Sequence, residues 1–379
     1  ERGGQRKAGF TTRRLSTLPD LPPVLEPRGI LRRRQNVGNS YRSAAIGDYK
    51  LVEMMGKGTL GTAHLAKNSN DHLAVIKVVL KSNPLYSFAK KSSNVAKMLP
   101  PHPNVAAVIE VVLDLDGLQV LEAHAGNKTL LEAVAASKSF TERIGSSMMR
   151  QVLLGLQHLH DAGIIHRDLQ PDNLMVQVYD EVPPSPQKGA GRGLEAGELL
   201  DADAGLMLRQ ALLKHRRGFG ILRIVDACLS SVKLEAFGGT FQTAPFSAEH
   251  VPPELLLPEG ALPSGDFVSQ NFSKAGDVWG AGVVLFSMLK GTIPNPGKDH
   301  AAVFASTRAF DSGVALAAQM EGLGPGARDA IGAMLQTDPS HRLGTAELLA
   351  LPFFREDIPP PDEDDDDDED GGGGGEEEE

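Results

Sequence analysis

Apolar residues along this chain change rhythm several times, and each change marks an element. Tyr49 to Met55 reads as a strand that leads through Gly56-Lys57-Gly58-Thr59-Leu60-Gly61 into a second strand at Ala63, His64 and Leu65. Asn68-Ser69-Asn70-Asp71 is a turn, and Leu73 to Leu80 is a third strand with Lys77 set among apolar residues. Between Thr141 and His160 the period lengthens. Ile144, Met148, Met149, Val152, Leu153, Leu156 and Leu159 recur at three- and four-residue intervals, which predicts a helix with a core-facing side. Asp161-Ala162-Gly163 ends it. Leu174–Val178 and Gly220–Val225 predict paired strands, separated by an insertion at about 179–219. Within it, Pro183-Pro184-Ser185-Pro186 and the glycine-rich stretch that follows suit disorder. Leu206 to Arg217 suits a short basic amphipathic helix, either a surface excursion or a docking helix.

Both ends of the chain differ in composition from its body. Residues 1–45 are rich in Arg, Pro, Ser and Gly without an apolar period, and read as a disordered basic arm. The segment 358–379 reads as a disordered acidic tail. The thirteen acidic residues between Asp362 and Glu379 exceed in number the whole formal net charge of −11, so the body is close to neutral. That balance argues against a general nucleic-acid binder. Ala281 to Leu289, the longest apolar run, is half of the ~18 residues that suggest a membrane helix. Cys228 is the only cysteine, which is compatible with a reducing compartment and with a cytoplasmic or nuclear location.

The stretch His166-Arg167-Asp168-Leu169-Gln170-Pro171-Asp172-Asn173 sets an Asp and an Asn five residues apart after the apolar helix. Phosphoryl transfer uses such a pair, the Asp for a hydroxyl proton and the Asn for Mg²⁺. Glycines in Gly56-x-Gly58-x-x-Gly61 let backbone N–H groups approach phosphate oxygens, and here a strand rather than a helix follows them. With these motifs in order, the chain resembles the eukaryotic protein kinase superfamily, nearest the serine/threonine type, from about Asp48 to Phe354. The resemblance implies an α+β, two-lobed fold. Its N-lobe (46–123) would be a small antiparallel sheet with one regulatory helix, and its C-lobe (124–357) larger and mainly helical.

The same resemblance implies ATP and Mg²⁺ as cofactors, and a protein substrate or binding partner for a chain that is monomeric and binds neither nucleic acid nor membrane. It implies Asp168 as the base or hydroxyl-orienting residue, Asn173 and Asp226 as metal ligands, and Lys77 as a contact to the ATP phosphates. Gly56, Gly58, Gly61, Ala63, Val75 and Met175 would line the nucleotide site, with Glu122 and Ala123 placed by count at the hinge. Asp277 would accept hydrogen bonds from the catalytic-loop backbone, and Arg342 would pair with Glu254. Thr243, with Ser230, Ser231 and Thr240 as rivals, would be the activating phosphosite, and Ser247 would touch the catalytic Asp.

Several positions depart from the family pattern. Gln170 stands where a Lys usually stabilises the transferring phosphate, and Ala227-Cys228 replace the usual Phe-Gly after Asp226. The Glu that orients the strand lysine should fall near Ser92 or Ser93, and no Asp or Glu lies between Lys77 and Glu110. The expectation is an unpaired, poorly oriented Lys77, with Asp226 as a substitute partner that would then compete with Mg²⁺. The reading is a slow or tightly regulated protein serine/threonine kinase, or alternatively a pseudokinase acting as a nucleotide-binding or scaffolding module.

Overall fold

The computed structural model describes residues 46–58, 61–84, 86–179, 218–227, 250–255, 272–296 and 300–355. Cys228, the insertion 180–217, the phosphosite candidates, Ser247, the basic arm and the acidic tail lie outside the described residues.

Strands β1 (Lys50–Lys57), β2 (Thr62–Lys67), β3 (Leu73–Leu80), β4 (Val108–Leu113) and β5 (Gly117–Ala123) form one antiparallel sheet in the order β1-β2-β3-β5-β4. Alternation along β3 sorts its side chains between two faces. Ala74, Ile76 and Val78 turn to one small core with Ile46, Ala66 and Leu121. Val79 turns to a second core with Leu118, Val120 and Ala89 of helix α1 (Tyr86–Lys97). Gly61 has to be glycine because a Cβ there would stand 1.9 Å from the Val78 carbonyl oxygen.

Below the sheet, the short strand β6 (Lys128–Thr129) opens into α2 (Leu130–Ser137), where Thr129 and Glu132 form a capping box with both bonds at 3.1 Å. Helix α3 (Glu142–Asp161) buries the predicted apolar side. Strands β7 (Leu174–Tyr179) and β8 (Gly218–Ile224) pair antiparallel, as their patterns predict, and β6 joins them as a third strand that the patterns did not mark.

The centre of this lobe is α4 (Lys274–Lys290), in which every residue from Gly276 to Leu289 is buried. A helix apolar on all sides has to be surrounded. It packs on α3 and on α7 (Pro325–Met334), while α5 (His300–Arg308), α6 (Val314–Gln319) and α8 (Thr345–Leu349) complete the lobe. Trp279, Phe286 and Phe354 sit almost fully inside its core. Among the described residues no helix is long and apolar enough to cross a membrane.

Candidate active site

Thr141 starts α3 by accepting a hydrogen bond from the Ile144 backbone, and Gly163, at φ +75°, turns the chain out of the helix into the catalytic loop. Arg167 then takes φ +69°, an uncommon conformation for a residue with a side chain. It is held there from outside the loop. Asp277, 1% exposed, accepts from the backbone N–H of His166 at 2.8 Å and of Arg167 at 2.7 Å, and contacts His160 Nε2 at 2.8 Å. This is the role the sequence implied for Asp277. His166 is fully buried, with its Nε2 3.1 Å from the Val225 carbonyl.

The loop so fixed presents Asp168 with both carboxylate oxygens engaged. Gln170 Nε2 donates to Oδ1 at 3.0 Å, and Asn173 Nδ2 donates to Oδ2 at 3.0 Å and to the Asp168 carbonyl at 2.7 Å. Asn173 thereby uses its amide hydrogens on Asp168, which leaves its carboxamide oxygen as the group able to face a cation. The Asn173 carbonyl accepts from Val225 N–H at 3.0 Å, tying the loop to the strand that delivers Asp226. Asp226 is itself at φ +60°. Side-chain-bearing residues in such conformations persist where the surroundings over-determine them, and they concentrate at functional sites.

Across the cleft, strand register brings Ala63, Val75, Lys77 and Glu122 onto one face, while Ala123, opposite Ala74, falls on the other. Lys77 lies opposite Ala63 on β2 and Val120 on β5, and Val75 lies opposite Glu122. The pleat therefore points Val75, Lys77, Ala63 and Glu122 the same way. Met175, half-buried on β7, alternates with the buried Leu174 and Val176. The turn between β1 and β2 closes with the Gly58 N–H donating to the Gly61 carbonyl at 2.8 Å.

The expectation of an unpaired Lys77 is corrected. Its ammonium donates to Glu122 Oε2 at 2.5 Å and to Asp226 Oδ1. Burial opposes the charge on Lys77, but the Asp226 and Glu122 carboxylates outweigh it and push its pKa above the ordinary lysine value. Burial pushes the Glu122 carboxyl up, with Lys77 pulling against that shift and Asp226 adding to it. Ser93 on α1, where the orienting Glu was sought, is 1% exposed, and its hydroxyl has no hydrogen-bond partner. Ser93, Ala96, Val108, Glu122, Asp226 and Ala227 line a cavity of about 30 Å³. It lies where the small side chains Ala96 and Ala227 leave the space between the lobes unfilled.

The signal for Glu122 as the lysine's partner was present but indirect. Directly opposite residues and their neighbours two along share a face, and diagonal pairs lie within reach of long side chains. Glu122 is the residue two along from Val120, the residue facing Lys77.

Compared with known protein families, the chain matches the protein kinase domain over residues 49–189 and 206–354. It belongs to that family. Relatives include CBL-interacting protein kinase 21 of Oryza sativa subsp. japonica, 24% identical over 88% of this chain and 54% of its own length. Calcium/calmodulin-dependent protein kinase type 1 of Macrobrachium nipponense is 24% identical over 68% of this chain and 61% of its own. The chain thus spans less than two thirds of each of these kinases. The solved structure of Rad53 1-466 in complex with AMP-PNP superposes with a TM-score of 0.57 at 20% identity, covering 81% of this chain and 66% of that one, and so shares the fold.

Further residues support the kinase scaffold. Arg342 makes a two-pronged pair with Glu254, Nη1 to Oε1 at 2.8 Å and Nη2 to Oε2 at 2.5 Å, and lies 5.2 Å from the Trp279 ring centroid. The sequence implied that pair as well. In the described residues no cluster of three His, Cys, Asp or Glu could hold a metal ion alone. A kinase site does not need one. Magnesium takes one or two carboxylates together with phosphates and waters, and the oxygens of Asn173 and Asp226 fit that donor set.

Proposed function

We propose that this chain is a protein serine/threonine kinase that transfers the ATP γ-phosphate to a protein hydroxyl. The observation that carries the reading is the Asp168 carboxylate, buried and held by both Gln170 and Asn173. Asp168 is then placed to orient the incoming hydroxyl and take up its proton. Lys77 supplies a fixed positive charge to the phosphates from the sheet side of the cleft. Asn173 and Asp226 present the metal-binding oxygens. Magnesium, when bound, supplies neutralisation of charge on the phosphates. Gln170 offers a neutral donor next to Asp168, so the site lacks one positive charge for the transition state. A missing donor or charge of that kind costs about 10²–10³ in rate, which makes this a slow enzyme. The serine/threonine assignment is supported by Pro171-Asp172 and by relatives named as such, including CBL-interacting serine/threonine-protein kinase 1 of Arabidopsis thaliana.

The pseudokinase reading is favoured by one observation: Asp226, a metal ligand in the first reading, is engaged with Lys77. The test is phosphate transfer from ATP and Mg²⁺ by the purified full chain to protein serine or threonine, beside Asp168→Asn. Transfer that disappears in the variant establishes the kinase. Nucleotide binding without transfer, including after treatment with an activating kinase, establishes the nucleotide-binding pseudokinase.

A further inference from the structure

Lys77 sits between two carboxylates of different kinds. Asp226 comes at the end of β8 and carries the metal-binding role proposed above. Glu122 comes from β5, inside the sheet that also holds Lys77, and is 6% exposed. A lysine served by Asp226 alone would face a conflict, because a cation that draws Asp226 away strips the lysine of its counter-charge. Glu122 removes the conflict. Its register opposite Val75 keeps it one diagonal step from Lys77 whatever Asp226 does. In the lining of the same cavity, Ser93 offers only a hydroxyl without a partner.

We infer that Glu122 is the positioning residue for Lys77, in the part that a carboxylate on α1 near Ser92 or Ser93 would otherwise play, and that it holds the ammonium when Asp226 turns to a metal ion. The metal-dependent half of this inference rests on the kinase reading, while the pairing does not.

Three observations carry it. The contact is direct, Nζ to Oε2 at 2.5 Å. The carboxylate is buried, and a buried carboxylate beside an ammonium is not an incidental surface pair. Glu122 and Ser93 line one cavity of about 30 Å³, enough for a water or two. A carboxylate moved from Glu122 to position 93 would therefore enter the same space.

The test uses the full chain in four forms: wild type, Glu122→Gln, Glu122→Ala, and Glu122→Ala combined with Ser93→Glu. Far-UV circular dichroism and thermal melting select folded protein. The first readout is acetylation of Lys77 by acetic anhydride without nucleotide, followed by peptide mass spectrometry. Glu122→Gln keeps the side-chain shape and loses the ionic half of the Lys77 contact, so the amine leaves the pair more often and should label ~10-fold faster. The second readout is the Mg²⁺ concentration that half-saturates ATP binding. It should rise ~10-fold in Glu122→Gln and Glu122→Ala, because Lys77 then competes fully for Asp226. The relocated carboxylate of the double variant should recover most of both changes, which a merely space-filling role for Glu122 would not allow.

Wild-type labelling of Lys77 in Glu122→Gln overturns the pairing, and a double variant no better than Glu122→Ala overturns the equivalence of the two positions. Faster labelling with unchanged Mg²⁺ dependence overturns the release of Asp226. If wild type binds no ATP under any Mg²⁺ concentration, the kinase reading fails while the labelling arm still decides the pairing.

Discussion

Gln170 is a test of how much a single charge matters at this site. It stands 3.0 Å from Asp168 and donates to it without adding charge. Gln170→Lys should raise the transfer rate by about 10²-fold, measured as kcat at saturating ATP. Asp168→Asn should lower it by at least ~10²-fold, since general acid–base groups contribute on that scale. A second residue-scale expectation concerns acid. Burial lowers the pKa of His64, whose Nε2 lies 2.8 Å from the Thr62 hydroxyl. The unfolded chain then binds more protons than the folded one as pH falls through the ordinary histidine range near ~6.5. Stability present at neutral pH is therefore lost on acidification. His64→Leu should shrink the fall in melting temperature between about pH 7 and about pH 5.

At the scale of elements, the catalytic loop depends on α4 for its shape. Asp277 accepts from two consecutive backbone N–H groups of that loop. Asp277→Ala leaves those donors without their acceptor in a buried place, at a cost of about 3 kcal/mol or more in denaturant unfolding. The Arg342–Glu254 pair ties the segment before α4 to the one after α7. Arg342→Ala should cost about 3–5 kcal/mol, because Glu254 would keep a largely buried charge with its partner gone. Both anchors were legible in the sequence, since each stood in a run whose neighbours named its role. Strands β1, β2, β3, β7 and β8 were legible too, as apolar runs bounded by glycines and turn residues, and α3 from period 3.6. β5 was not. All but its last residue are buried, so it shows no alternation to read. With β5 unread, its register against β3 was unknown, and the 45-residue separation hid Glu122 as the partner of Lys77. α2 was missed for a related reason: its start is marked by the capping box of Thr129 and Glu132, but its length is only eight residues.

For the whole molecule, the apolar cores are unequal. The sheet lobe rests on two small clusters, whereas the helical lobe shares one extensive core around α4. Smaller cores open at lower cost. In urea, amide protection of β1 to β5 should therefore be lost before the fluorescence of Trp279, the single tryptophan, reports unfolding of the helical lobe. Coincident transitions by hydrogen exchange and fluorescence would show instead that the two lobes unfold as one unit.

Glu122 also changes what could switch the proposed kinase on and off. In protein kinases the lysine's partner usually rides on a helix, and moving that helix makes or breaks the pair. Here the partner shares a hydrogen-bonded sheet with the lysine, so the two travel together. A swing of α1 would leave the charge pair whole. Control through this pair would act on Asp226 and not on α1, and a compound that works by pushing α1 outward would leave Lys77 and Glu122 together.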